Sequence, residues 1–378
     1  MLGILFGTLT GITPALHVNT LASIVESFLI SPGGFSYVLL LYSMGLTHTF
    51  LDAFPSTFFG IPDEETAVSV LPAHKLALQG QGLEVINISL KASLLAVVFS
   101  IPLAFPYVIL AEHYTNSIGK VAVFLLAFFL IITEKGVKRI YATLIFLLSG
   151  VFGLVVDRLP LKEPYFHIFV GLFGVPAILF SLKNSQMIEI GNPEIQMSKR
   201  KFLQFSFIGT CFGMLASLLP TFTSSQAALL GSFLSKDERT FLTIAFSVNT
   251  SNFIFSLINF YVTGKTRNGV LVLIKDLYYP LSSKELIILL LATIVTSGVV
   301  NLYGILLSKI IGRAISKINY TTLNSVVLLF IATASLYFDG LLGLAVLLTA
   351  ATIGVSATIL RIKRTTCMGV LMLKIMIN

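Results

Sequence analysis

The sequence predicts an all-α, polytopic integral membrane protein, and three observations carry that prediction. The composition is that of a lipid-dissolved chain. Of 378 residues, 56% are hydrophobic and 11% charged, and the mean hydropathy is +0.93. A soluble domain would carry about 25% charged residues. The apolar residues also come in runs near the roughly 20 residues that one bilayer-crossing helix needs. Finally, glycine and proline break one run in each half of the chain in the same way. Together these predict about 10–12 membrane segments in two inverted repeats with broken or re-entrant helices.

Taken in order, the apolar runs lie near 2–30, 35–59, 88–111, 121–133, 139–157 and 165–182, then 202–234, 240–262, 285–311, 321–338 and 341–361. Residues 1–198 read as the first repeat, 199–365 as the second and 366–378 as an interfacial tail. The N-terminus lacks the basic region of a signal peptide and reads as mature structure. Cys211 and Cys367 make neither a disulfide framework nor a metal-ligand spacing. The net charge of +8 does not point to nucleic acid, because the basic residues sit in short clusters between apolar runs.

Those clusters set the topology. Lys135/Lys138/Arg139, Lys199/Arg200/Lys201, Lys309/Arg313/Lys317 and Arg361/Lys363/Arg364 can all face the cytoplasm together. The run 88–111 then points outward and 285–311 inward, so the halves have opposite orientation. Residues 60–87 become cytoplasmic and 263–283 external. Each preceding pair of segments must therefore cross an odd number of times, which a re-entrant hairpin plus one crossing satisfies. Irregular backbone at that depth has to be buried in protein or line a cavity. A single helix kinked at each proline is the alternative.

The breaks repeat at a constant offset of 206, with Gly3, Phe6, Gly7, Leu9 and Pro14 matching Gly209, Phe212, Gly213, Leu215 and Pro220. Small polar residues follow each proline: His17, Asn19 and Thr20 in the first half, and Thr223, Ser224, Ser225 and Gln226 in the second. Residues 12–20 and 218–226 are accordingly expected to be non-helical or sharply broken, and to meet near the bilayer midplane. The next run carries His48 and Thr49 in the first half and Asn249, Thr250 and Asn252 in the second. Thr49 aligns with Thr250 after a five-residue gap. Polar groups within spans face the interior or a cavity, where they bind a solute or simply bond helix to helix. Helix N-termini exposed by a break would offer N–H groups and a positive dipole end to an anion.

The run Gly3-x3-Gly7-x3-Gly11-x2-Pro14 followed by Asn19-Thr20 resembles the large membrane subunit of the tripartite tricarboxylate transporters, the TctA family. So does Phe59-Gly60-Ile61-Pro62 leading into Leu71-Pro72-Ala73-His74-Lys75-Leu76-Ala77-Leu78-Gln79-Gly80-Gln81-Gly82. The resemblance implies a permease with two related halves that takes up carboxylates. It further implies a small membrane subunit, an extracellular solute-binding protein and an ion gradient as partners. Asp63-Glu64-Glu65 stands where the family usually has small residues, and the trio reads as a solvated loop.

The expected function is secondary transport of a small organic anion, by symport with sodium or a proton, in the cell membrane, with no nucleic acid and no resident cofactor. The candidate contacts are Pro14, His17, Asn19, Thr20, His48, Thr49, Pro220, Thr223, Ser224, Ser225, Gln226, Asn249, Thr250 and Asn252. An intramembrane enzyme acting on a lipid-linked substrate is the alternative from another class, with His17, His48, Asp52, Asp63, Glu64 and Glu65 as acid/base or metal groups, but no HExxH or other metal spacing supports it. A non-transporting channel or scaffold subunit is a further one. Cysteine-accessibility labelling tests the topology: the 135–139 and 199–201 loops are expected on one face and the 263–283 loop on the other. Labelling the first two from opposite faces would undo the inverted arrangement.

Overall fold

The computed structural model describes the chain apart from residues 14–33, 64, 113–115, 182–190, 220–222, 236 and 378, and apart from the side chains of 116–119, 181 and 320. Among the described residues every regular element is helical. The first half holds α1 (Leu2–Ile12), α2 (Phe35–Leu51), α3 (Val70–Leu76), α4 (Gly82–Glu112), α5 (Asn116–Ile132), α6 (Val137–Val156), α7 (Pro164–Phe169) and α8 (Val175–Ser181). The second holds α9 (Lys199–Leu218), α10 (Ser224–Leu234), α11 (Glu238–Thr263), α12 (Gly269–Leu277), α13 (Ser283–Ile315), α14 (Tyr320–Ile359) and α15 (Gly369–Ile377). Among these, α4, α6, α9, α11, α13 and α14 are long and apolar enough to cross a membrane, and three shorter apolar helices accompany them. The chain is a multi-pass membrane protein.

The large apolar side chains left exposed suit a lipid surface. They include Phe124 and Phe128 on α5, Leu144 and Leu148 on α6, and Leu302 and Leu306 on α13. The interior is organised around α11, whose residues from Thr240 to Phe260 are all buried. The main hydrophobic core joins α2, α4, α11 and α13 through residues such as Phe50, Ile86, Phe246 and Val300.

Glycines set how closely the helices approach. A Cβ on Gly3 or Gly7 would run into the backbone carbonyls of Leu40 and Met44 and the side chains of Ser43 and Thr47. A Cβ on Gly209 or Gly213 would meet the carbonyls of Ile244 and Val248 and the side chains of Ser247 and Ser251. The glycine pairs are related by the 206-residue offset seen in the sequence. Their partners on α2 and α11 are related by an offset of 204, each of the four contacts agreeing. The match of Thr49 with Thr250 at an offset of 201 is thereby corrected. Identity alone lets a gap fall anywhere between the helices, whereas packing fixes which residue lies over which glycine.

Both expected breaks begin where the sequence placed them. Thr13 is extended after α1, at φ −91° and ψ 118°, and Leu219 is extended after α9, at φ −81° and ψ 120°. Pro14, His17, Asn19, Thr20 and Pro220 lie outside the described residues. The second break is shorter than expected, because Ser224, Ser225 and Gln226 are already helical. Thr223 accepts from the Gln226 N–H while Gln226 accepts from the Thr223 N–H, a capping box that restarts the helix at once. Helix α14 is broken at Asp339 and at Gly340, whose φ of 60° and ψ of −149° suit glycine. The Asp339 carboxylate holds this break to the α6–α7 connection, accepting from the Lys162 N–H (2.5 Å), the Glu163 N–H (3.0 Å) and His167 Nε2 (2.8 Å).

One end of the molecule is tied by charge. Arg239 forks onto Glu84 with contacts of 2.7 and 2.9 Å, Lys201 pairs with Asp237 at 2.8 Å and Lys75 with Glu238 at 2.5 Å. Burial works against the Asp237 charge, but Lys201 and Thr240 more than offset it and hold its carboxyl below the usual range. The residues joined here, within 75–84 and at 201 and 237–239, flank the membrane runs on the side that the sequence reads as cytoplasmic.

Overpacking a close helix contact typically costs about 1–3 kcal/mol. Gly7→Leu and Gly213→Leu are therefore each expected to lower the thermal unfolding midpoint in detergent. Gly298→Leu, where an added Cβ meets nothing within 4 Å, should leave it nearly unchanged.

Candidate functional site

Helix α2 ends in polar residues that face α11. His48 and Asp52 lie one turn apart on the same helical face, and Thr49 stands beside them. Across from them, Asn249 Nδ2 donates to Asp52 Oδ2 at 2.5 Å and Thr250 Oγ1 donates to Thr49 Oγ1 at 3.2 Å. Asn252 Nδ2 donates to Ser224 Oγ at 2.9 Å, bringing the start of α10 into the same cluster. All of these side chains are buried. The structure therefore gathers His48, Thr49, Ser224, Asn249, Thr250 and Asn252 in one place, with one side supplied by each half of the chain.

A cavity of about 370 Å³ opens beside this cluster. Besides His48, Thr49, Asn249 and Asn252, it is lined by Asp52, Asp63, Glu65, Arg267 and Asn268. Two of the acidic trio are thus not solvated: Asp63 and Glu65 are half-buried on the cavity wall, while Glu64 lies outside the described residues. A helical distortion leads to them. A π turn at Pro55–Phe59 ends in Gly60 at φ 66°, and irregular chain follows, with Glu65 bonded to the start of α10.

The positive end of α10 was read from the sequence as a seat for a solute anion. In this arrangement it holds the chain's own Glu65, whose Oε2 accepts the Ser224 N–H at 2.9 Å. Ser225 Oγ accepts the Ala67 N–H at 3.0 Å. These two bonds make residues 65–67 a wall. On its far side lies a second cavity of about 500 Å³, lined by Ala67, Val68, Asp237, Lys363 and Arg364 among others. Arg364 is 8% exposed and donates to the Phe173 carbonyl at 3.0 Å. Burial pushes its guanidinium down to about 10, so it stays charged at neutral pH.

Arg267 and Asn268 were missing from the sequence-derived site, and Asp52, Asp63 and Glu65 were candidates in the sequence reading only as acid/base or metal groups of the alternative enzyme. Asp52 could have been found from its spacing of four after His48. Arg267 could not, because it lies in a segment that carries no helical periodicity of its own. It reaches the cavity from the turn between α11 and α12, where its Nη2 donates to the Leu218 carbonyl at 2.9 Å.

Comparison with known proteins gives a consistent result. The family model described as the tripartite tricarboxylate transporter TctA family matches residues 1–369. The chain is also 33% identical over 347 residues to an uncharacterized protein of Methanocaldococcus jannaschii, covering 87% of this chain and 84% of the relative. No solved structure matches.

Removing the donor to a buried carboxylate leaves a group that water would otherwise solvate, at a cost of about 1–3 kcal/mol. Asn249→Ala is expected to destabilise the protein by that amount. A double-mutant cycle with Asp52→Ala should return a coupling of about 0.5–3 kcal/mol in denaturant unfolding. Additive effects would show that the two side chains do not act as a pair.

Proposed function

The chain belongs to the tripartite tricarboxylate transporter TctA family, and from this premise we propose that it is a secondary carrier for a small organic anion, in the carboxylate class. The observation that carries the reading is the polar cavity walled by both halves of the chain, with Arg267 and the Asn268 amide on its surface. A carboxylate solute is recognised there by the guanidinium and by the Asn268 Nδ2 donor, since charge-assisted bonds are the strong ones. Solute transport, rather than catalysis, is the role that this family and this cavity support.

In this reading the two halves are inverted repeats, residues 1–198 and 199–365, and the equivalent glycine contacts of α1 with α2 and α9 with α11 support the repeat. The cavity beside Arg267 adjoins the segment read as external, and the second cavity adjoins the basic clusters read as cytoplasmic. The wall at residues 65–67 then separates the two sides. A solute carboxylate entering the first cavity competes with Glu65 for the Ser224 N–H, and its arrival frees the wall to move. Thr223, Ser224, Ser225 and Gln226 contribute by presenting that helix end. Pro14, His17, Asn19 and Thr20 are assigned the corresponding place in the first half.

Sodium or a proton drives the cycle in this scheme. A small membrane subunit and an extracellular solute-binding protein deliver the solute to the permease in the cell membrane. The test is counterflow of labelled carboxylates in proteoliposomes. Saturable exchange is expected, and Arg267→Gln should weaken it about 10- to 100-fold, the worth of one bond of about 1.5–3 kcal/mol to a charged ligand. Counterflow equal to the parent's in Arg267→Gln would remove the arginine from the site. Absence of counterflow for every carboxylate would remove the carrier reading.

A further inference from the structure

The mouth of α2 gathers electron pairs rather than donors. His48 Nδ1 lies 3.1 Å from Thr10 Oγ1, and that hydroxyl donates its one proton to the Gly7 carbonyl at 3.1 Å. In the tautomer that pairs with this bond, Nδ1 donates to Thr10 Oγ1 and Nε2 offers a lone pair. The lone pair of Nε2 consequently faces Asp63 Oδ2, 3.5 Å away. Asp52 adds a third lone pair. Its Oδ2 is engaged by Asn249, whereas Oδ1 has no hydrogen-bond partner in a residue that is 2% exposed. One ligand atom from each of His48, Asp52 and Asp63 lies within 4.8 Å of the others.

Asn252 supplies an independent observation. It is 7% exposed and lines the same cavity. Its Nδ2 is committed to Ser224, while its Oδ1, an acceptor, has no hydrogen-bond partner. Acceptors left together in a buried place mark where a positive charge belongs.

We propose that His48, Asp52 and Asp63 form a binding site for one divalent first-row transition metal ion, with Zn²⁺ and Mn²⁺ as its chemical class, and with Asn252 Oδ1 nearby as a further oxygen. The spacing suits it. Two ligands each about 2.1 Å from a tetrahedral ion stand about 3.4 Å apart, against the 3.5 Å between Nε2 and Oδ2. An imidazole among carboxylates favours such an ion over sodium, a hard cation that prefers oxygen alone. Asn249 holds Asp52 from behind, and Thr10 orients His48, which are the outer-shell roles that ligands of this kind require.

The site also answers an electrostatic difficulty. Asp52, Asp63 and Glu65 face the cavity against Arg267, a balance that repels a free carboxylate. A dication offsets the two aspartates and leaves coordination positions open toward the cavity. Resting on the carrier reading above, the solute class narrows to carboxylates that chelate, and metal and anion cross together.

Equilibrium binding of Zn²⁺ and of Mn²⁺, each alone, to the full chain purified in detergent and stripped with chelator tests the site. One saturable ion per chain is expected. Asp52→Asn and Asp63→Asn should each weaken it by about 100-fold or more, and Asn249→Ala by about 10- to 100-fold. Asp157→Asn, at a surface pair with Lys374, should not change it. Size-exclusion profiles matching the parent's show that the variants are folded, and the two asparagine variants keep side-chain size for that reason. No saturable binding of either ion, or unchanged affinity in both asparagine variants, overturns the site. Labelled-carboxylate counterflow in proteoliposomes separates this from the function. Metal binding without counterflow sinks the carrier and leaves the site, whereas counterflow indifferent to chelator sinks the coupling of metal to solute.

Discussion

The structure depends on one constraint, that the polar side chains of α11 must find partners inside the protein. This helix is enclosed along most of its length, yet carries Ser247, Asn249, Thr250, Ser251, Asn252, Ser256 and Asn259 on its way through. Unpaired polar groups are costly in an apolar surrounding. Ser247 therefore bonds to the Ala92 carbonyl of α4, Thr250 to Thr49, Asn249 to Asp52 and Asn252 to Ser224. These bonds recruit α2, α4 and α10 around a single axis. Of the side-chain atoms left without a partner, Ser256 Oγ among them, Asp52 Oδ1 and Asn252 Oδ1 belong to residues that line the cavity.

Close backbone approach does the rest. Where α1 meets α2 and where α9 meets α11, glycine lets carbonyl edges sit against the neighbouring helix, the kind of contact that drives helix association when lipid offers no hydrophobic gain. The same device seats α15 on α6, through Gly150 and Gly153 against Leu373 and Val370. A tail of marginal hydrophobic length is thereby built into the second core.

Much of this was legible in the sequence, because lipid imposes simple rules on it. Hydrophobic runs marked the helices, and the Asp339–Gly340 break fell between the runs 321–338 and 341–361. The pairing of Gly3 and Gly7 with Gly209 and Gly213 was visible as repeated spacing. What escaped were features set by backbone path. The π turns at Pro55–Phe59 and Ala77–Gln81 shift register without a composition signal, and the first of them leads into the segment that carries Asp63 and Glu65 to the cavity. Arg267 reaches the cavity only because the α11–α12 turn folds back over it. The helical state of Ser224–Gln226 was hidden for another reason: Pro220 announces a break, while the capping box that ends it is a matter of two side chains.

In the carrier scheme the wall at residues 65–67 would also set how leaky the molecule is at rest. It is fastened to α10 by one bond to a carboxylate and one between neutral groups, worth together about 2–4.5 kcal/mol. An equilibrium of that size would leave between about one molecule in thirty and about one in two thousand unfastened with nothing bound. In that scheme the two cavities would be kept apart by odds rather than by a rigid barrier, and slow seepage down a gradient would be the baseline against which any coupled movement has to be counted.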